Sequence, residues 1–531
     1  MPTRRHVLTG AAVTAGAIVL PLTAADPAAA QPQVSEEAAP FALGVASGDP
    51  LPDGVIVWTR LVRPDGPMPA RPITVGWEVA LDERFRRVVR SGHVVASPRL
   101  GHSVHVDVRG LWPGCGYFYR FRALGQISPV GRTKTAPPPW LDVSRLRFGI
   151  VNCQDFQNGY YPAYLGLVAE DLDVVLHLGD YIYEGDPASA FPDRLHTTPA
   201  TPGLSQLQTL DDYRARHMQY KSDPALQAAH AAFPFIATWD DHEVENNYAG
   251  LVDEVDDTGP RRQTPEQFAL QRAAAYQAYY EHMPIRADLR PGSPDLRIFR
   301  RFDFGRLARF NVLDTRQYRT DQPGGFPNDF GPPEVGAANT AGTLTGADQE
   351  RWLLAGLDHS HSRWNVIAQQ VMMSRTVAPN PLGPVPPVLA NMDQWDGYAP
   401  QRARLLQHLV DAQVRNPVVL AGDIHSSWFS ELRVDFTRPE TAPVAVEFTA
   451  TSVTSDFPAA FDALFKAANP TFNPHVRYFD GSKHGYLRCE VTKAAWRTDA
   501  RTVDTIATRT APVSTSASFA VESGTHTLHP A

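Results

Sequence analysis

Three polar stretches, each running out of an apolar segment, carry the residues most able to do chemistry. They are 174–184 (VVLHLGDYIYE), 235–247 (FIATWDDHEVENN) and 418–427 (VVLAGDIHSS). A fourth, 147–154 (RFGIVNCQ), has the same form and ends in Asn152 and Cys153. Each predicts a buried strand that delivers its polar residues at the C-terminal end, the edge where active sites of open α/β sheets lie. Oxygen, nitrogen and sulfur donors arriving from four such ends point to a metal-centred hydrolase.

Gly179 precedes Asp180 and permits a tight turn with close backbone approach, leaving Asp180 free to bind or bridge metal ions. Tyr183 returns to the same centre if the turn is helical. A phenolate ligand requires a strongly Lewis-acidic ion, because free tyrosine has a pKa of about 10; that favours Fe3+ over Ca2+ or Mg2+. The alternative is that Tyr181 and Tyr183 are packing aromatics. In Asp240-Asp241-His242-Glu243, one aspartate suits a metal and His242 suits a general acid or a phosphate-positioning group. The same four residues also read as a capped, acidic helix start. Asn246 and Asn247 are further oxygen donors. Gly422-Asp423-Ile424-His425 repeats the Gly179-Asp180 pattern, and Asp423 and His425 share a face if the segment stays extended. Arg316 and Arg319 are candidate phosphate clamps, the guanidinium being suited to bidentate contacts, or else surface arginines.

The elements that must position these residues fall into two regions. Residues 41–138 alternate β-like runs (55–59, 73–80, 88–95, 104–108, 117–123) with turns, as an antiparallel β-sandwich requires. The Pro-rich run 135–139 reads as a linker. Over 146–510 strands alternate with helices, which predicts a layered, mostly parallel α/β domain. Helices are expected at 161–170, 211–219, 224–232, 264–282 (with Thr264 as cap), 347–357 and 401–412, and strands at 307–313, 364–370 and 418–422. Residues 324–339 read as a long Gly/Pro loop. The last sixty residues return to β texture, clearest at 486–491, and 511–531 are expected to be a C-terminal tail that either covers the site or hangs loose.

Residues 1–30 combine Arg4-Arg5, an apolar run and Ala28-Ala29-Ala30, the pattern of a twin-arginine signal peptide. That predicts export in the folded state through the twin-arginine machinery, to a secreted or wall-associated location. No later stretch is long and apolar enough for a transmembrane helix. Across 531 residues, 43% are hydrophobic and 20% charged, which is ordinary for a globular protein, and a net charge of −8 argues against a nucleic-acid binder. Three cysteines is an odd count for an exported chain, so at least one thiol is unpaired, metal-bound or intermolecular; Cys115 and Cys489 are the pair left if Cys153 is a ligand.

With the leader, the segments 41–50 (FALGVASGDP), 57–60 (VWTR), 152–154 (NCQ), 177–185 (HLGDYIYEG), 238–247 (TWDDHEVENN), 313–319 (LDTRQYR) and 422–427 (GDIHSS) resemble the metallophosphoesterase superfamily, and within it the alkaline phosphatase D (PhoD) family, along nearly the whole chain. The resemblance implies a fibronectin- or immunoglobulin-like sandwich followed by an α/β metallophosphoesterase domain of two packed mixed sheets flanked by helices. It implies hydrolysis of phosphomonoesters and phosphodiesters by a metal-activated hydroxide, with His242 and Asp241 in catalytic positions. By the same resemblance Cys153, Asp180, Tyr183 and His425 hold Fe3+, while Asp180, Asp241 and Asp423 hold Ca2+. His242 matches the histidine of the superfamily's Asn-His motif, with aspartate in place of asparagine; the usual Asp-x-His opening is absent, and Asn152-Cys153 stands near its place. Asn247, Arg316 and Arg319 are the candidate phosphate contacts. Family substrates include small phosphoesters, teichoic acid and phospholipids, so a phospholipase D of this family is the alternative reading. A non-catalytic, exported wall-binding protein is a further one.

Overall fold

Strands that are apolar at every position are strands covered on both faces. In Val174–His177, Val174 and Leu176 point into one core while Val175 points into another; in Pro417–Ala421, Val418 and Leu420 divide from Val419 in the same way. The computed structural model describes residues 40–531 except 64–65, 186–187, 198–206, 254–262, 327–328, 381–382 and 384–386. The leader expected over 1–30 lies outside the described residues.

In chain order the first strands are β1 (Val45–Leu51), β2 (Gly54–Arg60), β3 (Ile73–Ala80), β4 (Val88–Ala96), β5 (Ser103–Arg109), β6 (Gly116–Ala123), β7 (Gln126–Ile127) and β8 (Gly131–Lys134). There follow β9 (Arg145–Val151), β10 (Val174–His177), β11 (Pro234–Ala237), β12 (Arg300–Phe304), β13 (Ala308–Val312), β14 (Phe330–Gly331), β15 (Trp364–Ala368), β16 (Val377–Pro379) and β17 (Val388–Asn391). The last are β18 (Pro417–Ala421), β19 (Ser427–Leu432), β20 (Ala445–Thr449), β21 (Val476–Asp480), β22 (His484–Thr492), β23 (Ala495–Val503), β24 (Val513–Glu522) and β25 (His529–Pro530).

A ten-stranded sheet runs β25-β24-β23-β22-β9-β10-β11-β1-β2-β5, and a seven-stranded sheet runs β12-β13-β15-β18-β20-β19-β21. Both are mixed: β9, β10 and β11 are parallel, as are β13, β15, β18 and β20, whereas β22 and β12 run antiparallel to their neighbours. The sheets face each other across Phe148, Ile150, Leu176, Phe310, Val366 and Leu420. Helices Pro162–Val168, Pro224–Ala232 and Pro265–His282 cover the outer face of the first; Gly346–Asp358 and Ala399–Asp411 cover the second. The result is a helix–sheet–sheet–helix stack. Thr264 caps the longest helix as expected, in a reciprocal pair with Gln267 and with Pro265 at the first turn.

The N-terminal strands β1, β2 and β5 face β3 and β6 across Val57, Val106, Val75, Tyr119 and Phe121. They are not a separate sheet, because β1 pairs in parallel with β11 and so extends the ten-stranded sheet.

Two expectations need correction. Residues 511–531 are not a tail: β24 pairs with β23 along its length, and β25 pairs with β24. The Ser/Ala/Thr-rich sequence hides this because only Phe519 and Val521 of β24 are fully covered. The stretch 324–339 is not a plain loop either, since it contains β14 and the helix Pro333–Ala338.

Candidate metal centre

Residues that follow five of the parallel strands in the two sheets meet at one edge. Asn152 and Cys153 follow β9, Asp180 follows β10, Asp240 to His242 follow β11, Arg316 follows β13, and Asp423 and His425 follow β18. Backbone bonds lock neighbouring loops: Cys153 N–H donates to the Gly179 carbonyl and Gln154 N–H to that of Asp180, both at 3.1 Å. Gly179 sits at φ +112°, and a Cβ there would lie 2.4 Å from that of Asp240, so the glycine is required for close approach. Cys153, Asp180, Asn247, Asp423 and His425 all have left-handed φ. That region costs a non-glycine residue about 1 kcal/mol or more, and such strain concentrates at functional sites.

Three groups of ligating atoms form, each with atoms within 4.8 Å of one another: Cys153/Asp180/His425, Asp180/Asp241/His242 and Asp240/Asp241/Asp423. Asp180 belongs to two of them and Asp241 to two. Tyr183 joins the first: its Oη lies 2.9 Å from Asp180 Oδ2 and 3.1 Å from His425 Nε2, and Ser455 Oγ donates to it at 2.7 Å. The turn carrying Tyr183 is a bend, so the tyrosine reaches the centre without the helical turn that was the condition for it. Asp423 and His425 likewise do not converge through an extended segment; both are left-handed, and the chain folds back between them.

The charge balance of the cluster calls for a cation. Burial, then the charges of Asp180 and Asp423, push the Cys153 thiol far up; burial and Asp180 do the same to the Tyr183 phenol. Burial also raises Asp180 and Asp240, and brings Asp423 up to about 6 against the pull of Arg316. For Asp241, Arg316, His242 and the Asn247 N–H outweigh burial and hold the carboxyl low. Asp180 Oδ1, Asp240 Oδ2 and Asn152 Oδ1 are buried without hydrogen-bond partners. A cation within reach of these oxygens would supply what the unpartnered atoms and the crowded acids lack. Hard carboxylates beside a thiol, a phenol and imidazoles form a donor set that suits transition metals as well as Ca2+.

Arg316 and Arg319, read as candidate phosphate clamps or else surface arginines, are both buried and bound to carboxylates. Arg316 is fully buried and spends Nε on Asp240, Nη1 on Asp393 at 2.7 Å and Nη2 on Asp423 at 2.9 Å. Arg319 binds the Asp393 carboxylate and carbonyl. Buried guanidiniums need carboxylate partners, and Asp393 supplies them. Asn247 remains at the site: its N–H donates to Asp241 at 2.8 Å and its amide to Asp329 at 2.6 Å.

Sequence reasoning missed Glu184, Glu243, Asp393 and Gln394. Glu184 Oε2 meets His242 Nδ1 at 2.7 Å while Oε1 accepts from Asn246 N–H. Burial opposes the imidazolium of His242, but Glu184, Asp241 and Asp180 outweigh it and raise its pKa far above the usual value. Glu243 accepts from the backbone N–H groups of Asp180, Tyr181 and Asp240, tying two loops together. Glu184 stood in plain view at the end of 174–184; Asp393 and Gln394 follow only the four-residue strand β17, just after the Pro-rich run 379–387, and gave no signal.

The sequence profile of the PhoD-like phosphatase family matches residues 148–500, and that of the PhoD-like phosphatase N-terminal domain matches residues 26–137. Alkaline phosphatase D of Bacillus subtilis (strain 168) is 46% identical over 489 residues, covering 90% of this chain and 80% of that protein. The solved structure of PhoD matches with a TM-score of 0.83 at 44% identity, over 93% of each chain.

Proposed function

This chain belongs to the PhoD-like phosphatase family, and we propose that the cluster at its sheet edge hydrolyses phosphoesters, both monoesters and diesters. The observation that carries this is the sharing of Asp180 and of Asp241 between adjacent groups of ligating atoms, an arrangement that would let neighbouring cations act on one substrate phosphate.

Cys153, Asp180, Tyr183 and His425 would hold Fe3+, because a phenol and a thiol this far from ionisation need a strong Lewis acid to release their protons. Asp180, Asp241 and Asp423 would hold Ca2+. Metals held there would supply charge neutralisation of the phosphate and acidification of a water nucleophile. The chain's own residues do the rest. Glu184 holds His242 by Nδ1 and leaves Nε2 for the substrate, where it donates a proton to the leaving oxygen. Asn247 and Glu243 fix the carboxylate of Asp241 and the backbone of Asp180. Residues 41–138 would form the accessory sandwich and 146 onward the catalytic unit.

Elemental analysis with turnover of 4-nitrophenyl phosphate and bis(4-nitrophenyl) phosphate tests the reading. Iron and calcium in the purified protein, with activity lost on chelation and in Asp180→Asn, is the expected result. Full activity in the chelated protein would overturn it. For the leader, we propose twin-arginine export: replacing Arg4 and Arg5 by lysine should retain the precursor inside the cell, and undiminished secretion of that variant would refute the route.

A further inference from the structure

Beside the acid cluster lies a narrow, largely enclosed cleft of about 40 Å³, walled by Phe330, Leu389, Ile424, Trp428, Phe457 and Phe461. Four separate segments tie its wall to the site. Ile424 lies between Asp423 and His425. Phe457 follows Asp456, whose carbonyl lies 3.0 Å from His425 Nδ1. Phe330 follows Asp329, the partner of the Asn247 amide at 2.6 Å. Gln394 lines the cleft and donates to Asp423 Oδ2 at 2.5 Å. Leu389, Phe330, Phe457, Phe461 and Ile424 are only half-buried, so apolar surface reaches the rim. The carboxylate in the lining, Asp396, is neutralised by Arg402 at 2.7 Å.

Resting on the phosphoesterase reading, we infer that this cleft receives an apolar substituent, alkyl or aryl, carried on an ester oxygen of the substrate phosphate. An aromatic-walled space with its one charge already paired offers nothing to a polyol or an ammonium headgroup beyond packing, and it suits hydrocarbon. Its size sets a limit. A water needs roughly 10–15 Å³ of such space, so the cleft takes a few methylenes or the edge of a ring, and a longer chain must continue outward past Phe330 and Phe461.

Calorimetric titration of the metal-loaded enzyme with n-alkylphosphonates from methyl to hexyl tests this. Affinity should rise about fourfold for each of the first few methylenes and then level off. Phe461→Ala and Leu389→Ser should flatten that rise and leave methylphosphonate binding unchanged. A flat series in the unaltered enzyme, or a rise that survives both substitutions, would overturn the assignment. Binding of methylphosphonate with ester turnover in the same preparation keeps the parent reading standing in either case; absence of both sinks the parent reading together with the cleft.

Discussion

Glu184 decides which nitrogen of His242 is left for chemistry. With Nδ1 held at 2.7 Å by a nearly buried carboxylate, the ring can rotate little and its charge is sustained. Glu184→Gln keeps the size but not the charge. It should lower kcat by roughly tenfold to a hundredfold, the range seen when outer partners of site residues are removed, with KM and metal content nearly unchanged. Steady-state kinetics and elemental analysis of the variant check this; an unchanged kcat would leave Glu184 with only its bond to Asn246 N–H. Arg316 illustrates the opposite lesson. Its type suggested substrate binding, yet its surroundings make it the countercharge for Asp240, Asp393 and Asp423. Residue type is legible in a sequence, but the partner that occupies a side chain is not.

Among the elements, the strands leading to the site were legible because burial on both faces leaves unbroken apolar runs, as in 174–177 and 418–421. Thr264 and its helix were legible from capping chemistry. What escaped was whatever the periodicity did not mark. The turns at Asp423 and His425 depend on left-handed backbone that no pattern announces, and β24 buries too few residues to show an alternation. The strand assignment predicts that ending the chain at residue 510 unpairs all of β23 on one side and uncovers the core around Phe519 and Val521. Thermal unfolding of that shortened protein should begin well below that of the full chain, or the protein should fail to accumulate. A dispensable tail would leave the midpoint where it was.

At the scale of the whole molecule, the fold also buries a basic group that belongs to none of the ligating groups. Lys221 lies almost wholly covered, its ammonium 4.4 Å from the centre of the Trp58 ring, and burial brings its pKa from 10.5 down to about 7. In the unfolded chain the lysine keeps its proton up to about pH 10.4. Between about 7 and 10.5 the unfolded state therefore holds more protons, so this residue's contribution to stability improves as pH rises through that window and is worst, and constant, below it. Lys221→Met should consequently raise the unfolding free energy most at and below pH 7, by an amount that shrinks towards pH 10.5. Denaturant titrations of both proteins at pH 6.5, 8 and 9.5 measure the difference; a gain independent of pH would mean that the lysine is not neutralised by folding.

The strand β9, which leads into Asn152 and Cys153, is clasped between β10 on one side and β22 on the other. β22 is made near the end of translation, and β23 and β24 after it. A ribosome that has completed the first four-fifths of this protein has synthesised the thiol, the phenol and nearly every acid of the centre, yet has not made the wall that holds β9 in place. The site is therefore a late product of synthesis. A cation held by the Cys153, Asp180 and His425 group would have to enter after β22 has closed against β9.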